Sequence, residues 1–145
     1  GHATLEGTVR TFLTGTQVED ALRKVAESTA AAFGAKATLS YQYMTEPVIN
    51  GDEQLNRIAQ TAVTKLYGKE SLITPAPLMG SEDFSWFGKD GIPYIYGFVA
   101  SHNKDWDYMY GNHHEKYDVD ETILHRRAAV AAQFAADYLA ETAQQ

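Results

Sequence analysis

Hydrophobic and polar positions change rhythm several times along this 145-residue chain, and each rhythm predicts an element. From Thr4 to Phe12 they alternate: Leu5, Gly7, Val9 and Thr11 fall on one side, and Glu6, Thr8, Arg10 and Phe12 on the other. That is the period of two expected of a strand. The rhythm then turns helical, with Val18, Ala21, Leu22, Val25, Thr29, Ala32 and Phe33 in one stripe. Thr16 and Glu19 have the form of a capping box ahead of that stripe, and Gly34 suits its stop. Alternation resumes at Ala37, Leu39, Tyr41 and Tyr43, which closes an expected β-α-β unit near Pro47.

Asn50-Gly51-Asp52 predicts a turn that hands over to a new helix cap. Leu55, Ile58, Ala59, Ala62, Val63 and Leu66 make a second amphipathic stripe, stopped by Gly68. An irregular stretch with Pro75 and Pro77 leads to Met79-Gly80-Ser81-Glu82-Asp83-Phe84. From Pro93 to Ala100 the chain is nearly all apolar, as in a central strand buried on both faces. A polar, aromatic loop follows from Ser101 to Tyr117. Asp118 with Glu121 then forms another capping box before a last stripe of Ile123, Leu124, Val130, Ala131, Phe134, Tyr138 and Leu139. This order predicts an α/β fold. Only one strand pattern follows residue 50, and one strand makes no sheet, so the second half is expected to lack its sheet neighbours.

Composition narrows the function classes. Hydrophobic residues are 44% and charged residues 21% of the chain, as in ordinary soluble domains. A formal charge of -7 offers no basic footprint for nucleic acid or an anionic membrane. No apolar run reaches the roughly 20 residues of a membrane helix, and no leader-like segment opens the chain. The absence of cysteine removes disulfides, thiolate nucleophiles and cysteine-based zinc sites together. A cytoplasmic location is the expectation that follows. The Gly1-His2 start, without an initiator Met, suggests either an added remnant or an internal cut.

Candidate chemistry gathers in two segments. In Gly111-Asn112-His113-His114-Glu115-Lys116-Tyr117, adjacent histidines point to opposite sides of extended backbone, so at most one enters a given site. A loop imidazole is either a metal ligand or a solvated side chain. In Gly80-Ser81-Glu82-Asp83-Phe84-Ser85, a Gly-Ser turn before a helix exposes N–H groups that suit a carboxylate or oxyanion, while the plainer role is an N-cap at Ser81. Ser81 has no nucleophile elbow around it. Asn103, Asp105 and Asp107 begin like a calcium loop, but Tyr108 and His114 stand where glycine and glutamate are required. Trp106, Tyr108 and Tyr110 either line a cleft or anchor their loop. Arg10 is a carboxylate clamp or a surface charge.

Taken together these segments resemble the M20 metallopeptidase family, in its amidohydrolase branch of N-acyl-amino-acid, hippurate and auxin-conjugate hydrolases. Leu5 to Phe12 resembles the opening strand of that family's satellite domain, and Tyr43 to Asn50 the strand and hinge leading back to the catalytic domain. Met79 to Ser85 is similar to the branch's Gly-Ser-Glu-Asp-Phe-Ser signature. His113 to Glu121 is similar to its C-terminal His-x-x-x-(Phe/Tyr)-x-(Ile/Val)-Asp-Glu signature.

The resemblance implies a partial satellite (lid and dimerisation) domain over 1–50 and the C-terminal portion of a zinc-peptidase-like catalytic domain over 51–145. It implies that His113, and not His114, ligates a divalent zinc or manganese. Arg10, Gly80 and Ser81 would border a small-molecule N-acyl amino acid or conjugate, and the satellite domain would make a homodimer. The family's other ligands and its general-base glutamate belong upstream of residue 1, so this chain alone is expected to hold metal weakly and to be inactive. A stand-alone, non-catalytic module that dimerises or binds a carboxylate is the alternative.

Overall fold

The computed structural model describes residues 1–143. Its regular structure is helical: α1 (Gly15–Ala32), α2 (Glu53–Tyr67), the four-residue α3 (Trp86–Lys89) and α4 (Leu124–Thr142), with single 3₁₀ turns at Lys69–Ser71, Asp83–Ser85 and Glu121–Ile123. No described residue lies in a strand. The expected α/β fold is therefore corrected to an all-helical one. The segments 4–12, 37–43 and 93–100, expected as strands, carry no regular structure, and Leu5 and Phe98 are 92% and 69% exposed. The physical reason lies in where hydrogen bonds close. A helix satisfies its backbone within one segment, whereas a strand needs a neighbour, and alternation of side chains does not supply one.

The chain divides into two compact units. The first comprises Gly1–Gly51 and Ala76–Tyr94 and contains α1 and α3. The cap of α1 is Thr14, two residues ahead of the expected Thr16, and its box partner is Gln17, whose Oε1 accepts the Thr14 N–H at 3.2 Å. Only Gly15 and Val18 of α1 are buried. Gly15 is required there by a neighbour: a β-carbon on it would stand 1.5 Å from Cε1 of Tyr43. Arg23 holds the following segment to α1, pairing with Glu19 at 2.5 Å and donating to the Leu39 carbonyl at 3.4 Å. Around α3, Phe84 meets Phe87 and Tyr94 edge to face at 4.9 and 5.6 Å, and the Tyr94 hydroxyl accepts the Ile49 N–H at 2.9 Å.

The second unit comprises Asp52–Pro75 and the described part of Ile95–Gln145. Asp52 caps α2 by accepting the Leu55 N–H at 2.9 Å, and Gly68 ends it at φ 83°, a left-handed conformation that suits glycine. Leu55, Ile58 and Ala62 lie on one side of α2 and are buried, Ile58 to 1% exposure. Their partner is α4. Arg57 donates from both guanidinium nitrogens to Glu141, Lys65 reaches Asp137 at 2.6 Å, and the Arg126 guanidinium sits 5.4 Å over the Tyr67 ring. Contacts that rise along α2 fall along α4, so the two helices are antiparallel.

These ion pairs shift the carboxylates. The hydrogen bond from Lys65 holds Asp137 below the usual Asp range, and the hydrogen bond from Arg57 does the same for Glu141. The same Glu141 bond raises Arg57 above its already high value.

Apolar surface left open is extensive. Phe33 (85%), Met44 (77%) and Ile73 (74%) are largely exposed, as are Leu5 and Phe98. Two separate folded bodies of half this mass would together expose about 9,000 Å². The chain exposes 11730 Å², roughly 2,700 Å² more.

Candidate functional site

Two sets of residues singled out in the sequence lie in different units, and each has its own local construction. In the first unit, Arg10 and Ser81 come together across 71 residues, with Arg10 Nη1 donating to Ser81 Oγ at 3.3 Å. Both residues are exposed, as is Gly80. Ser81 does not cap the following turn; Glu82 occupies the cap position, and no side chain caps it. The Ser81 hydroxyl therefore orients a guanidinium. The four remaining N–H donors of the Arg10 fork suit a carboxylate.

In the second unit the histidine loop is tied to the start of α4 through Asp120. Its backbone N–H donates to the Ser101 carbonyl at 2.8 Å, and its Oδ2 accepts from Asn103 Nδ2 at 2.9 Å. Oδ1 accepts both the N–H and the hydroxyl of Thr122, at 2.9 and 2.5 Å. Those hydrogen bonds, led by the Thr122 hydroxyl, hold the Asp120 carboxyl below the usual Asp range. Asp120 thus replaces the expected Asp118 as the cap; Asp118 accepts the N–H of its neighbour Val119 at 2.8 Å.

The loop separates its two histidines. His114 Nδ1 accepts the Lys116 N–H at 3.0 Å, which fixes the proton of the neutral ring on Nε2, and the ring stacks on Tyr110 at 4.3 Å. His113 is exposed and has φ 72°, the one described residue other than glycine in the left-handed region. That conformation costs a side-chain-bearing residue about 1–2 kcal/mol. No hydrogen bond engages the His113 ring among the described residues.

Among the described residues no three or more His, Cys, Asp or Glu side chains form a group that could hold a metal ion. A catalytic zinc takes about three protein ligands. These residues by themselves do not fit one, and no catalytic step is assigned to a metal here.

Beside the histidines, Tyr108, Tyr110, Lys116, Tyr117 and Asp118 line an open cleft of about 470 Å³. Of the three aromatic residues weighed in the sequence, Tyr108 and Tyr110 line this cleft, and Trp106 stacks on Tyr108 with ring centroids 6.1 Å apart. Tyr117 stands at the (Phe/Tyr) position of the C-terminal signature, and the signal available for Lys116 was its place directly after the histidine pair.

Comparison with known proteins decides the family. The profile of peptidase family M20/M25/M40 matches residues 4–137. The chain belongs to this family. Among M20 relatives, IAA-amino acid hydrolase ILR1-like 2 of Arabidopsis thaliana is 30% identical over 144 residues, covering 97% of this chain and 32% of that protein. An uncharacterized hydrolase of Staphylococcus haemolyticus is 28% identical over 125 residues, 85% of this chain and 32% of its own length. A third, from Staphylococcus epidermidis, is 30% identical over 125 residues with the same coverage, 85% and 32%. This M20 chain therefore spans about a third of the length of the curated relatives it matches. No solved structure matches it. No helix among the described residues is long and apolar enough to cross a membrane.

Proposed function

We propose that this chain works within a larger metal-dependent amidohydrolase that cleaves the amide bond of N-acyl amino acids or related conjugates. The observation that carries the reading is the family match over residues 4–137, together with a hydrolase relative that covers nearly the whole chain. In this reading His113 contributes one ligand to a divalent zinc or manganese, consistent with a ring that no described neighbour engages. Arg10, steadied by Ser81, holds the substrate carboxylate, and Gly80 lets the substrate approach the backbone closely. Residues 1–50 serve a satellite domain that dimerises, and 51–145 belong to the catalytic domain.

The test is release of free amino acid from acetyl, benzoyl and indole-3-acetyl conjugates, with zinc or manganese supplied. It compares the chain with any longer natural polypeptide that contains it. Turnover is expected only from the longer polypeptide, with His113→Ala lowering kcat by orders of magnitude and Arg10→Ala raising KM more than it lowers kcat. An inert longer polypeptide, or a fully active His113→Ala variant, would overturn the reading. The Arg10–Ser81 contact also supports a second reading, a carboxylate-binding module without catalysis. Saturable binding of an acyl amino acid by an inert longer polypeptide would favour it.

A further inference from the structure

We propose that residues 95–100 of the second unit are a self-pairing edge, on which a second copy of this chain adds an antiparallel strand. Around Gly97 the sequence reads the same in both directions by chemical type. Ile95-Tyr96-Gly97-Phe98-Val99 runs β-branched, aromatic, glycine, aromatic, β-branched. Such a run suits a two-fold axis, because in an isologous contact residue i meets residue j while j meets i. With Gly97 on the axis, Tyr96 of each copy stands opposite Phe98 of the other, and Ile95 opposite Val99. Aromatic and β-branched side chains set directly opposite one another are the contacts that favour antiparallel pairing.

The fold leaves this segment open to a copy. Ile95, Gly97, Phe98, Val99 and Ala100 form no backbone hydrogen bond among the described residues, and residues 95–100 carry no regular structure. Phe98 is 69% exposed, and Gly97 and Ala100 are exposed beside it. Unpaired N–H and C=O groups next to apolar side chains are a template for another strand. Charge admits the copy here as well. Each chain carries a formal -7, yet no charged side chain stands from Gly91 to Ser101. A short, uncharged, β-prone run is where like-charged copies approach at least cost. Area is sufficient: the chain exposes roughly 2,700 Å² beyond two compact bodies of its mass, and a standard interface takes about 800 Å² from each partner. This contact is distinct from the dimer expected of residues 1–50. It requires no amide hydrolysis, so it stands or falls apart from the enzymatic reading.

The chain has no cysteine, so a single introduced thiol reads the register. Opposed residues of antiparallel strands have Cα atoms about 4.5–5.5 Å apart, inside the disulfide range of about 4.4–6.8 Å. A β-carbon on Gly97 would meet nothing within 4 Å, so Gly97→Cys should keep the fold. Under mild oxidation it is expected to form a covalent dimer at least about tenfold faster than Ala132→Cys, because pairing raises the local thiol concentration. Ala132 is an exposed position on α4. Sedimentation velocity of the parent across a concentration series is expected to show monomer and dimer. No described residue lies in a strand, so an antiparallel amide I band that grows with the dimer belongs to the pair. Phe98→Lys sets a charge on the edge of both copies and should weaken the dimer at least about tenfold. Leu5→Lys, at a 92% exposed position of the first unit, should leave it unchanged. Far-UV circular dichroism checks that each variant keeps its helices. A parent monomeric at every concentration, equal oxidation rates at positions 97 and 132, or a dimer broken by Leu5→Lys and not by Phe98→Lys would overturn the proposal.

Discussion

Ile58→Ala probes the seam on which the second unit rests. Ile58 is 1% exposed and sits between Leu55 and Ala62 on the side of α2 that meets α4. The substitution removes three carbons, worth about 0.8 kcal/mol each in transfer. The cavity left behind adds to that, giving a cost of about 3 kcal/mol. Domains of this size hold about 5–15 kcal/mol in total. With Val18, Leu55, Ile58 and Ala62 alone forming the buried apolar core among the described residues, this chain belongs at the low end, and the loss is a large fraction of the whole. Urea unfolding followed by far-UV circular dichroism measures it. With a slope of about 2 kcal/mol per molar, the midpoint should fall by about 1.5 M. Leu139→Ala deletes the same number of carbons from a side chain 65% exposed and should stay within about 0.5 kcal/mol of the parent. Equal midpoint shifts for the two variants would refute the α2–α4 seam as the source of stability.

Two further outcomes follow from residues described above. Asp137 and Glu141 are held below their ordinary values of 3.8 and 4.5, so their ion pairs stabilise the fold above those values and the contribution disappears as pH falls through the lower folded ones. The urea midpoint should therefore drop below about pH 4, and an Asp137→Asn, Glu141→Gln double variant should show a shallower acid dependence; an identical profile would contradict the pairing. His113→Gly should raise the midpoint slightly, because relief of about 1–2 kcal/mol of left-handed strain outweighs the added glycine entropy of about 0.5–1 kcal/mol. His113→Ala keeps the strained φ and should show no gain, so equal stability of the two variants would count against strain at this position.

What could be read from the sequence divides along the range of the interactions. Helix α2 was legible from Asp52 to Gly68 because its cap, its apolar stripe and its stop all lie within the segment. For α1 the stripe was legible, but the cap was misplaced by two residues, since Thr14-Gln17 and Thr16-Glu19 offer the same chemistry. The α/β expectation failed because the alternation of Leu5, Val9, Tyr41 and Tyr43 specifies sides, not partners. Of the site, the choice of His113 over His114 rests on family resemblance alone. The Lys116 N–H on His114 Nδ1 depends on a turn that residue types do not announce. The Arg10–Ser81 contact joins residues 71 apart, and no local pattern contains it. Tyr108 and Tyr110 were legible as an aromatic cluster, but whether they anchor or receive depends on exposure.

Asp120 has a consequence for how this loop can change. By holding Ser101, Asn103 and Thr122 at once, it fastens both ends of the excursion that carries the histidines and the aromatic cluster. Once such a loop is fastened at its base, doubling its length adds only about 0.6 kcal/mol of closure entropy. The intervening residues 104–119 can then be exchanged, lengthened or shortened while helix α4 keeps its starting point. The stability of the base and the identity of the residues at the tip are thereby separable, and the tip can change without the scaffold first being repaired.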